Sequence, residues 1–195
     1  MNTKTIKLVI IGSINTGKTS LIYRLKNNSF NTHTENTIGA AFTKLIHTHN
    51  PSTYNIECWD TAGSERYAPL LPLYVRGAHI VLLCYDNWNA NVIKDNLKYI
   101  HTNNTNTHVV MCRTKSDLIT PSTNDDVRSR DTINAELMGW GKVHFVSSKT
   151  GDGISDLLNS VCNYIDEYIP NTTVHNTSHL SQLDNEKMKS KSCSC

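Results

Sequence analysis

Short apolar runs alternate with segments of helical periodicity along most of the chain. The runs at 80–85 and 109–112 consist entirely of apolar residues, which is typical of strands buried on both faces. Apolar positions spaced three and four residues apart predict helices. The predicted strands are 5–11, 40–48, 53–59, 80–85, 109–112 and 143–146, and the predicted helices are 18–27, 89–101, 126–138 and 154–169.

The order of these elements predicts the fold class. The turn Asn50-Pro51-Ser52 makes the second and third strands an antiparallel hairpin. The other strands are joined by crossover helices, which predicts an α/β fold, a three-layer sandwich with a mostly parallel sheet of about six strands and helices on both faces. In such sheets ligands bind beyond the carboxyl ends of the strands.

The end of the chain differs in character from the rest. The last predicted helix stops at Pro170, and its N-cap is expected at Gly151 or Asp152. The segment that follows is polar and lacks apolar periodicity. We therefore predict one domain over 1–169 and a flexible tail over 170–195.

Composition and charge exclude several classes of protein. The net charge of +2, without a basic stripe interleaved with aromatics, argues against nucleic acid as a partner. No apolar run approaches the length of a membrane span, and the first residues lead into a strand with no signal peptide, so a cytosolic protein is expected. Cys58, Cys84, Cys112 and Cys162 lie in apolar stretches without zinc-ligand spacing, which favours small buried hydrophobes.

A phosphate-binding motif lies between the first strand and the first helix. Residues 12–19 read Gly-Ser-Ile-Asn-Thr-Gly-Lys-Thr, a P-loop of the form G-x-x-x-x-G-K-[ST]. Its glycines let the backbone curl so that N–H groups face an anion. Lys18 is expected to reach the outer phosphates, and the Thr19 hydroxyl to bind Mg²⁺. The predicted nucleotide contacts of this segment are Gly12, Asn15, Thr16, Gly17, Lys18, Thr19 and Ser20.

Three further groups of residues follow later strands of the predicted sheet. Asp60 ends one strand and is expected to bind Mg²⁺ through water, and Gly63 can offer an N–H to a terminal phosphate. After the strand that ends at Cys112, the Asp117 carboxylate can accept the N1–H and the exocyclic amine of guanine, with Lys115 along the base. The Ser147-Ser148-Lys149 backbone can meet guanine O6. The sequence thus predicts GTP or GDP with Mg²⁺ as the ligands.

These motifs together resemble the Ras superfamily of small GTPases and, within it, the Rab family. The resemblance covers residues 5 to about 168 and the end of the chain. Its family segments are Thr37-Ile38-Gly39-Ala40-Ala41-Phe42, Trp59-Asp60-Thr61-Ala62-Gly63, Glu65-Arg66-Tyr67 and Arg76-Gly77-Ala78. The pair of alanines at 40–41 is similar to the early-endosomal Rab subgroup.

The resemblance implies a P-loop NTPase fold and several roles for single residues. Phe30 would pack on the guanine, and Thr37 would supply a second Mg²⁺ hydroxyl that senses the γ-phosphate. The catalytic set would be Ser64, Gly63, Thr37 and Lys18. An aromatic cluster of Phe42, Trp59 and Tyr74 would face effector proteins, with plain core packing of these rings as the alternative.

Three positions depart from the family pattern. Ser64 stands where the family usually has the Gln that orients the attacking water, and Ile14 fills a P-loop position that is usually small. Both changes are expected to slow GTP hydrolysis. Thr114 replaces the Asn of the guanine motif, which is expected to weaken that side chain's link to the base and the P-loop by about 1–2 kcal/mol. Compensating contacts are the alternative, and guanine selectivity through Asp117 is expected to survive.

The chain ends in Cys193-Ser194-Cys195 after several lysines. Ser192, four residues from the end, excludes a C-a-a-X box, whereas the ending resembles the Rab signal for two geranylgeranyl groups, which anchor stably. The resemblance implies a prenylation escort, a GDP-dissociation inhibitor, an exchange factor, a GTPase-activating protein and effectors as partners. It also implies a place on the cytoplasmic face of intracellular membranes, such as early endosomes, with cycling through the cytosol. A monomer is expected, since nothing in the sequence demands a larger assembly.

Three functions stay open on the sequence. The leading one is a prenylated Rab-type GTPase switch that recruits effectors in membrane trafficking. The second is a mostly GTP-bound recruiter that acts as a binding module, which Ser64 and Ile14 favour. The third, an adenine-specific P-loop kinase or ATPase, rests on Thr114 alone and is opposed by Asp117.

Overall fold

The computed structural model describes residues 3–49 and 51–169. Every predicted strand and helix is present, and most boundaries lie within two residues of the prediction. The strands are β1 (Thr3–Ile11), β2 (Ala40–His49), β3 (Ser52–Thr61), β4 (Ile80–Tyr85), β5 (His108–Arg113) and β6 (Val143–Phe145). The helices are α1 (Lys18–Asn27), α2 (Leu71–Val75), α3 (Ala90–Asn103), α4 (Asn124–Leu137) and α5 (Ile154–Tyr168), with 3₁₀ turns at Glu65–Leu70 and Ser116–Leu118.

The strands form one six-stranded sheet in the order β2-β3-β1-β4-β5-β6. The β2–β3 pair is antiparallel, with Phe42 opposite Trp59, and the other described pairs are parallel. All six residues of β4 are buried, as expected of a central strand covered on both faces. The predicted α/β fold class and the predicted hairpin are confirmed.

The core is divided by the sheet into two apolar layers. On one face α1 and α5 contribute Leu21, Val161 and Ile165 to the layer. On the other face α2 and α3 contribute Val75 and Ile93. Helices thus cover both faces, and in open sheets of this kind ligands bind at the loops beyond the carboxyl ends of the strands.

One sequence-based prediction about the helices was wrong, and one helical segment was missed. The N-cap of α5 is Gly153, at φ 72°, and not Gly151 or Asp152. A side chain at Gly153 would collide with the carbonyl oxygen of Phe145, so this close approach requires glycine. The helical segment over 65–75 was not predicted, because Pro69 and Pro72 interrupt its periodicity.

The four cysteines that lie in apolar stretches are buried, as predicted. No helix in the described ranges is long and apolar enough to cross a membrane. The predictions for the tail over 170–195, including the lipidation of Cys193 and Cys195, lie outside the described residues.

Candidate functional site

A cleft of about 380 Å³ lies beyond the carboxyl ends of β1, β3 and β5. Eight residues predicted from the sequence line it: Asn15, Gly17, Lys18, Thr19, Ser20, Thr37, Gly63 and Lys115. Ser64, which stands where the family usually has Gln, also lines the cleft. The prediction that ligands bind at this edge of the sheet therefore agrees with where the cavity is.

Steric constraints on the backbone shape the P-loop. A side chain at Gly12 would collide with the carbonyl oxygen of Cys84 at the end of β4, so only glycine lets the loop leave β1 against β4. Asn15 and Gly17 have positive φ, at 62° and 84°. The Thr16 hydroxyl donates to the carbonyl of Ser13 at 2.9 Å. The loop is thus held in a tight curl that ends at the first turn of α1.

Lys18 is buried at the centre of the P-loop, with 6% of the residue exposed. Its ammonium group donates to the carbonyls of Gly12 at 2.8 Å and Ser13 at 2.7 Å. Burial lowers the pKa of Lys18, and the nearby Asp60 carboxylate opposes that shift. None of the ion pairs in the described ranges includes Lys18. A buried cation without an anionic partner is costly, and a bound phosphate would supply that partner.

The three predicted metal ligands come together beside Lys18. The Thr19 and Thr37 hydroxyl oxygens lie 2.9 Å apart. Both donate to Oδ2 of Asp60, Thr19 at 2.7 Å and Thr37 at 3.2 Å. This meeting joins three separate segments: the start of α1, the loop before β2, and the end of β3.

One oxygen of the Asp60 carboxylate is free to bind a cation. Its Oδ1 atom is buried without a hydrogen-bond partner among the described residues. Burial raises the pKa of Asp60, and the hydrogen bonds from Thr19 and Thr37 oppose that shift. An orphaned carboxylate oxygen beside two hydroxyls is a set of hard oxygen donors, which suits Mg²⁺. The residues present therefore fit the predicted ion.

Gly63 lies directly against the P-loop. A Cβ atom there would stand 2.6 Å from the Ile14 nitrogen and 2.6 Å from the Lys18 ammonium nitrogen. The backbone at Gly63 therefore closes one wall of the cleft near the lysine. Ser64 follows in extended conformation before the 3₁₀ turn, and the Ile14 side chain is 52% exposed beside it.

The predicted base-contacting residues gather at the ends of β5 and β6. The Thr114 hydroxyl lies 2.5 Å from the carbonyl oxygen of Thr16 and donates to it. Thr114 therefore retains a hydrogen bond to the P-loop, while the loss of its contact with the base stays a prediction. Oδ1 of Asp117 accepts from the Ser147 hydroxyl at 2.6 Å. Lys115 has φ 54° and pairs with Asp86 at 2.8 Å.

Some predicted residues are not brought into the cleft, and some cleft residues were not predicted. Phe30 is 38% exposed and does not line the cleft. The cleft lining also includes Thr34, Glu35, Asn36, Ile38, Thr61 and Tyr67, none of which was assigned a place in the site from the sequence. Most lie in irregular segments, where no periodicity or motif marks a side chain as facing a cavity.

The predicted aromatic cluster is formed and partly exposed. The rings of Phe42 and Trp59 meet edge to face with centroids 5.2 Å apart, and Trp59 and Tyr74 lie 5.6 Å apart. Phe42 is 52% exposed, whereas the other two rings pack on the core. The cluster is therefore both an edge of the core and an accessible apolar surface.

Comparison with known proteins agrees with this geometry. The model of one protein family, described as "Ras of Complex, Roc, domain of DAPkinase", matches residues 7–117. The chain is 38% identical to the Ras-related protein Rab5A of Oryza sativa subsp. japonica over 58% of both chains. It is 32% identical to the Ras-related protein RABF2a of Arabidopsis thaliana, over 78% of this chain and 76% of that relative. The Ras-related protein Rab5 of Nicotiana tabacum is also 32% identical, over 80% of this chain and 79% of its own.

Proposed function

The chain belongs to the Rab family of small GTPases, with Rab5-like relatives, and on that premise we propose that it is a Mg²⁺-dependent switch with slow GTP hydrolysis. Family membership implies guanine-nucleotide binding, GTP hydrolysis and a general role in endosomal membrane trafficking. The observation that carries the proposal is the convergence of Thr19, Thr37 and Asp60 beside the buried Lys18.

Each residue of this group has a distinct role in the proposed mechanism. The P-loop amides and the Lys18 ammonium bind the phosphates and stabilise the charge that develops during phosphoryl transfer. The two hydroxyls and the Asp60 carboxylate would hold Mg²⁺, which supplies further neutralisation of the phosphate oxygens when bound.

The switch would depend on two segments that meet at the phosphates. Thr37 belongs to the loop before β2, and Gly63 belongs to the loop after β3. Both segments lie close to Lys18 and Thr19. A γ-phosphate would contact both segments and order them, and its hydrolysis would release both. The adjoining aromatic cluster of Phe42, Trp59 and Tyr74 would present the ordered state to effector proteins.

Slow hydrolysis follows from two side chains near the reaction centre. Ser64 lines the cleft, but its short hydroxyl side chain has no amide with which to orient a water and contact the transition state together. Ile14 contributes a branched side chain at the mouth of the same cleft. These two residues also favour the second candidate function, in which the chain stays mostly GTP-bound and acts as a recruiter.

Membrane attachment is proposed from the end of the sequence. Cys193 and Cys195 would carry two geranylgeranyl groups, because the ending Cys193-Ser194-Cys195 resembles the Rab signal for them. Two such chains would anchor the protein stably. A prenylation escort, a GDP-dissociation inhibitor, an exchange factor and a GTPase-activating protein would then be the regulatory partners. The G domain would cover 1–169, and 170–195 would tether it to the cytoplasmic face of an endosomal membrane.

Nucleotide competition tests the proposal. Fluorescent GDP bound to the purified chain is displaced by GDP or by ADP, in Mg²⁺ and again in excess EDTA. We expect GDP to compete at least about 100-fold better than ADP, because guanine can donate two hydrogen bonds to the charged Asp117 carboxylate and adenine cannot. We expect EDTA to accelerate release of the bound nucleotide. Equal competition by ADP would support the adenine-specific alternative and contradict the proposal.

A second experiment tests the position of Thr114. In Thr114→Asn, we expect GDP release to slow by roughly 5- to 30-fold, because the added amide can contact the base while keeping a link to Thr16, a gain of about 1–2 kcal/mol. Release is measured with fluorescent GDP under excess unlabelled GDP. Thr105→Asn, at an exposed loop position, serves as the control. A release rate equal to that of the wild type would show that Thr114 does not limit nucleotide retention.

A further inference from the structure

Arg24 on α1 holds three backbone carbonyls at once. Its Nε atom donates to the carbonyl of Ser148 at 2.6 Å, and Nη2 donates to that of Lys149 at 2.7 Å. Its Nη1 atom donates to the carbonyl of Asn28 at 2.7 Å. Hydrogen bonds from a guanidinium are charge-assisted, and its rigid fork fixes the geometry of what it binds.

Only one of these contacts is an ordinary feature of a helix end. Asn28 is the C-cap of α1, and a cation near the last carbonyls of a helix is a common arrangement. The other two carbonyls lie more than 120 positions away in sequence, in the loop between β6 and α5. Arg24 forms none of the ion pairs in the described ranges. Its guanidinium binds backbone carbonyls instead.

The contacts fix the orientation of the peptide units in that loop. In a planar trans peptide, the C=O of one residue points opposite to the N–H of the next. Holding the Ser148 carbonyl toward α1 therefore turns the Lys149 N–H away from α1. The Ser147 hydroxyl on the same loop accepts the Thr150 N–H at 3.1 Å and donates to Asp117 at 2.6 Å.

The same side chain also connects the two halves of the nucleotide site. Helix α1 begins at Lys18 of the P-loop, and Arg24 lies further along the same helix. The loop that it holds carries the residues proposed to meet guanine O6. Arg24 thus links the helix that begins at the phosphate-binding turn to the base-binding loop, beside the separate link from Thr114 to Thr16.

We propose that Arg24 is a positioning residue for base recognition, one that holds the 147–149 loop with the Lys149 N–H toward the 6-oxygen of guanine. This inference rests on the proposed function of guanine-nucleotide binding. Arg24 does not itself contact the nucleotide. It acts through the loop backbone, and its removal is expected to loosen the contact with O6 while Asp117 continues to bind the other edge of the base.

The test compares nucleotides that differ at one edge of the base. Affinities of GDP, 6-thio-GDP and IDP are measured by displacement of fluorescent GDP from the full chain in Mg²⁺. Sulfur is a weak acceptor, so 6-thio-GDP reports on the contact with the 6-position. IDP lacks the exocyclic amine and reports on Asp117. The variants are Arg24→Met, Arg24→Lys, and Lys26→Met as the control, because Lys26 is an exposed cation near the end of the same helix.

In Arg24→Met, we expect GDP affinity to fall roughly tenfold, the scale of one lost hydrogen bond. The preference for GDP over 6-thio-GDP is expected to shrink toward one, while the preference for GDP over IDP stays at the wild-type value. Arg24→Lys keeps the charge but not the forked guanidinium, so its GDP affinity and its preference for GDP over 6-thio-GDP are expected to lie between those of the wild type and Arg24→Met. Lys26→Met is expected to match the wild type in both.

Two results would overturn the proposal. One is a loss of affinity in Arg24→Met that is equal for GDP and 6-thio-GDP, which would indicate a purely structural role. The other is an Arg24→Met protein whose affinities for both nucleotides equal those of the wild type. Failure of the underlying function is a separate outcome, because the wild type would then show no preference for GDP over ADP or IDP.

Discussion

In Asp117→Asn, GDP affinity should fall at least a hundredfold while affinity for xanthosine diphosphate rises. The Asp117 carboxylate is oriented by the Ser147 hydroxyl at 2.6 Å, and it is proposed to accept both the N1–H and the exocyclic amine of guanine. An asparagine amide can accept one of these donors but opposes the other with its own NH₂. Two charged hydrogen bonds are each worth about 1.5–3 kcal/mol, which sets the size of the loss.

The gain for xanthosine separates loss of base recognition from simple loss of structure. Xanthine carries an oxygen where guanine carries the exocyclic amine, so the asparagine NH₂ gains an acceptor. Displacement of fluorescent nucleotide measures both affinities, and Asp95→Asn, an exposed position in the middle of α3, is the control. If Asp117→Asn weakened both nucleotides equally, Asp117 would not be the residue that reads the base.

The second large effect is expected in Ser64→Gln. This variant should raise the intrinsic rate of GTP hydrolysis by about 10- to 100-fold, because a longer amide side chain can orient the attacking water, and correct placement of a reacting group is worth factors of this size. Single-turnover hydrolysis of preloaded GTP measures the rate directly. Ser155→Gln, at an exposed position on α5, controls for the substitution itself.

Ile14 decides how a negative result is interpreted. Its backbone nitrogen lies against Gly63, and its side chain borders the cleft beside Ser64. The double variant Ile14→Ala with Ser64→Gln should therefore hydrolyse GTP at least as fast as Ser64→Gln alone. Wild-type rates in both variants would contradict the proposal that Ser64 and Ile14 slow hydrolysis.

The fold and the phosphate half of the site could be predicted because their signals are local. Apolar runs such as 80–85 encode a central strand directly, and the P-loop fixes its own conformation through residues that are adjacent in sequence. The meeting of Thr19, Thr37 and Asp60 was predicted from motif positions and the family resemblance, and the structure brings these three side chains within hydrogen-bond distance.

Other features depend on contacts that no local pattern encodes. Arg24 binds carbonyls more than 120 positions away, and an exposed-looking arginine on a helix gives no sign of such partners. The requirement for glycine at Gly153 comes from the Phe145 carbonyl, which belongs to another element. The segment over 65–75 forms only a 3₁₀ turn and a five-residue helix with Pro72 in its first turn, where proline is tolerated, and pieces this short leave no helical periodicity in the sequence.

The most direct test of the central claim is to identify the nucleotide that the purified, Mg²⁺-loaded chain releases on denaturation. We expect a guanine nucleotide in about equal amount to the protein, with a measurable share still present as GTP because Ser64 makes hydrolysis slow. Release of GDP alone would agree with a GTPase switch but would contradict the proposal that hydrolysis is slow. An adenine nucleotide, or no nucleotide from folded protein, would contradict the central claim.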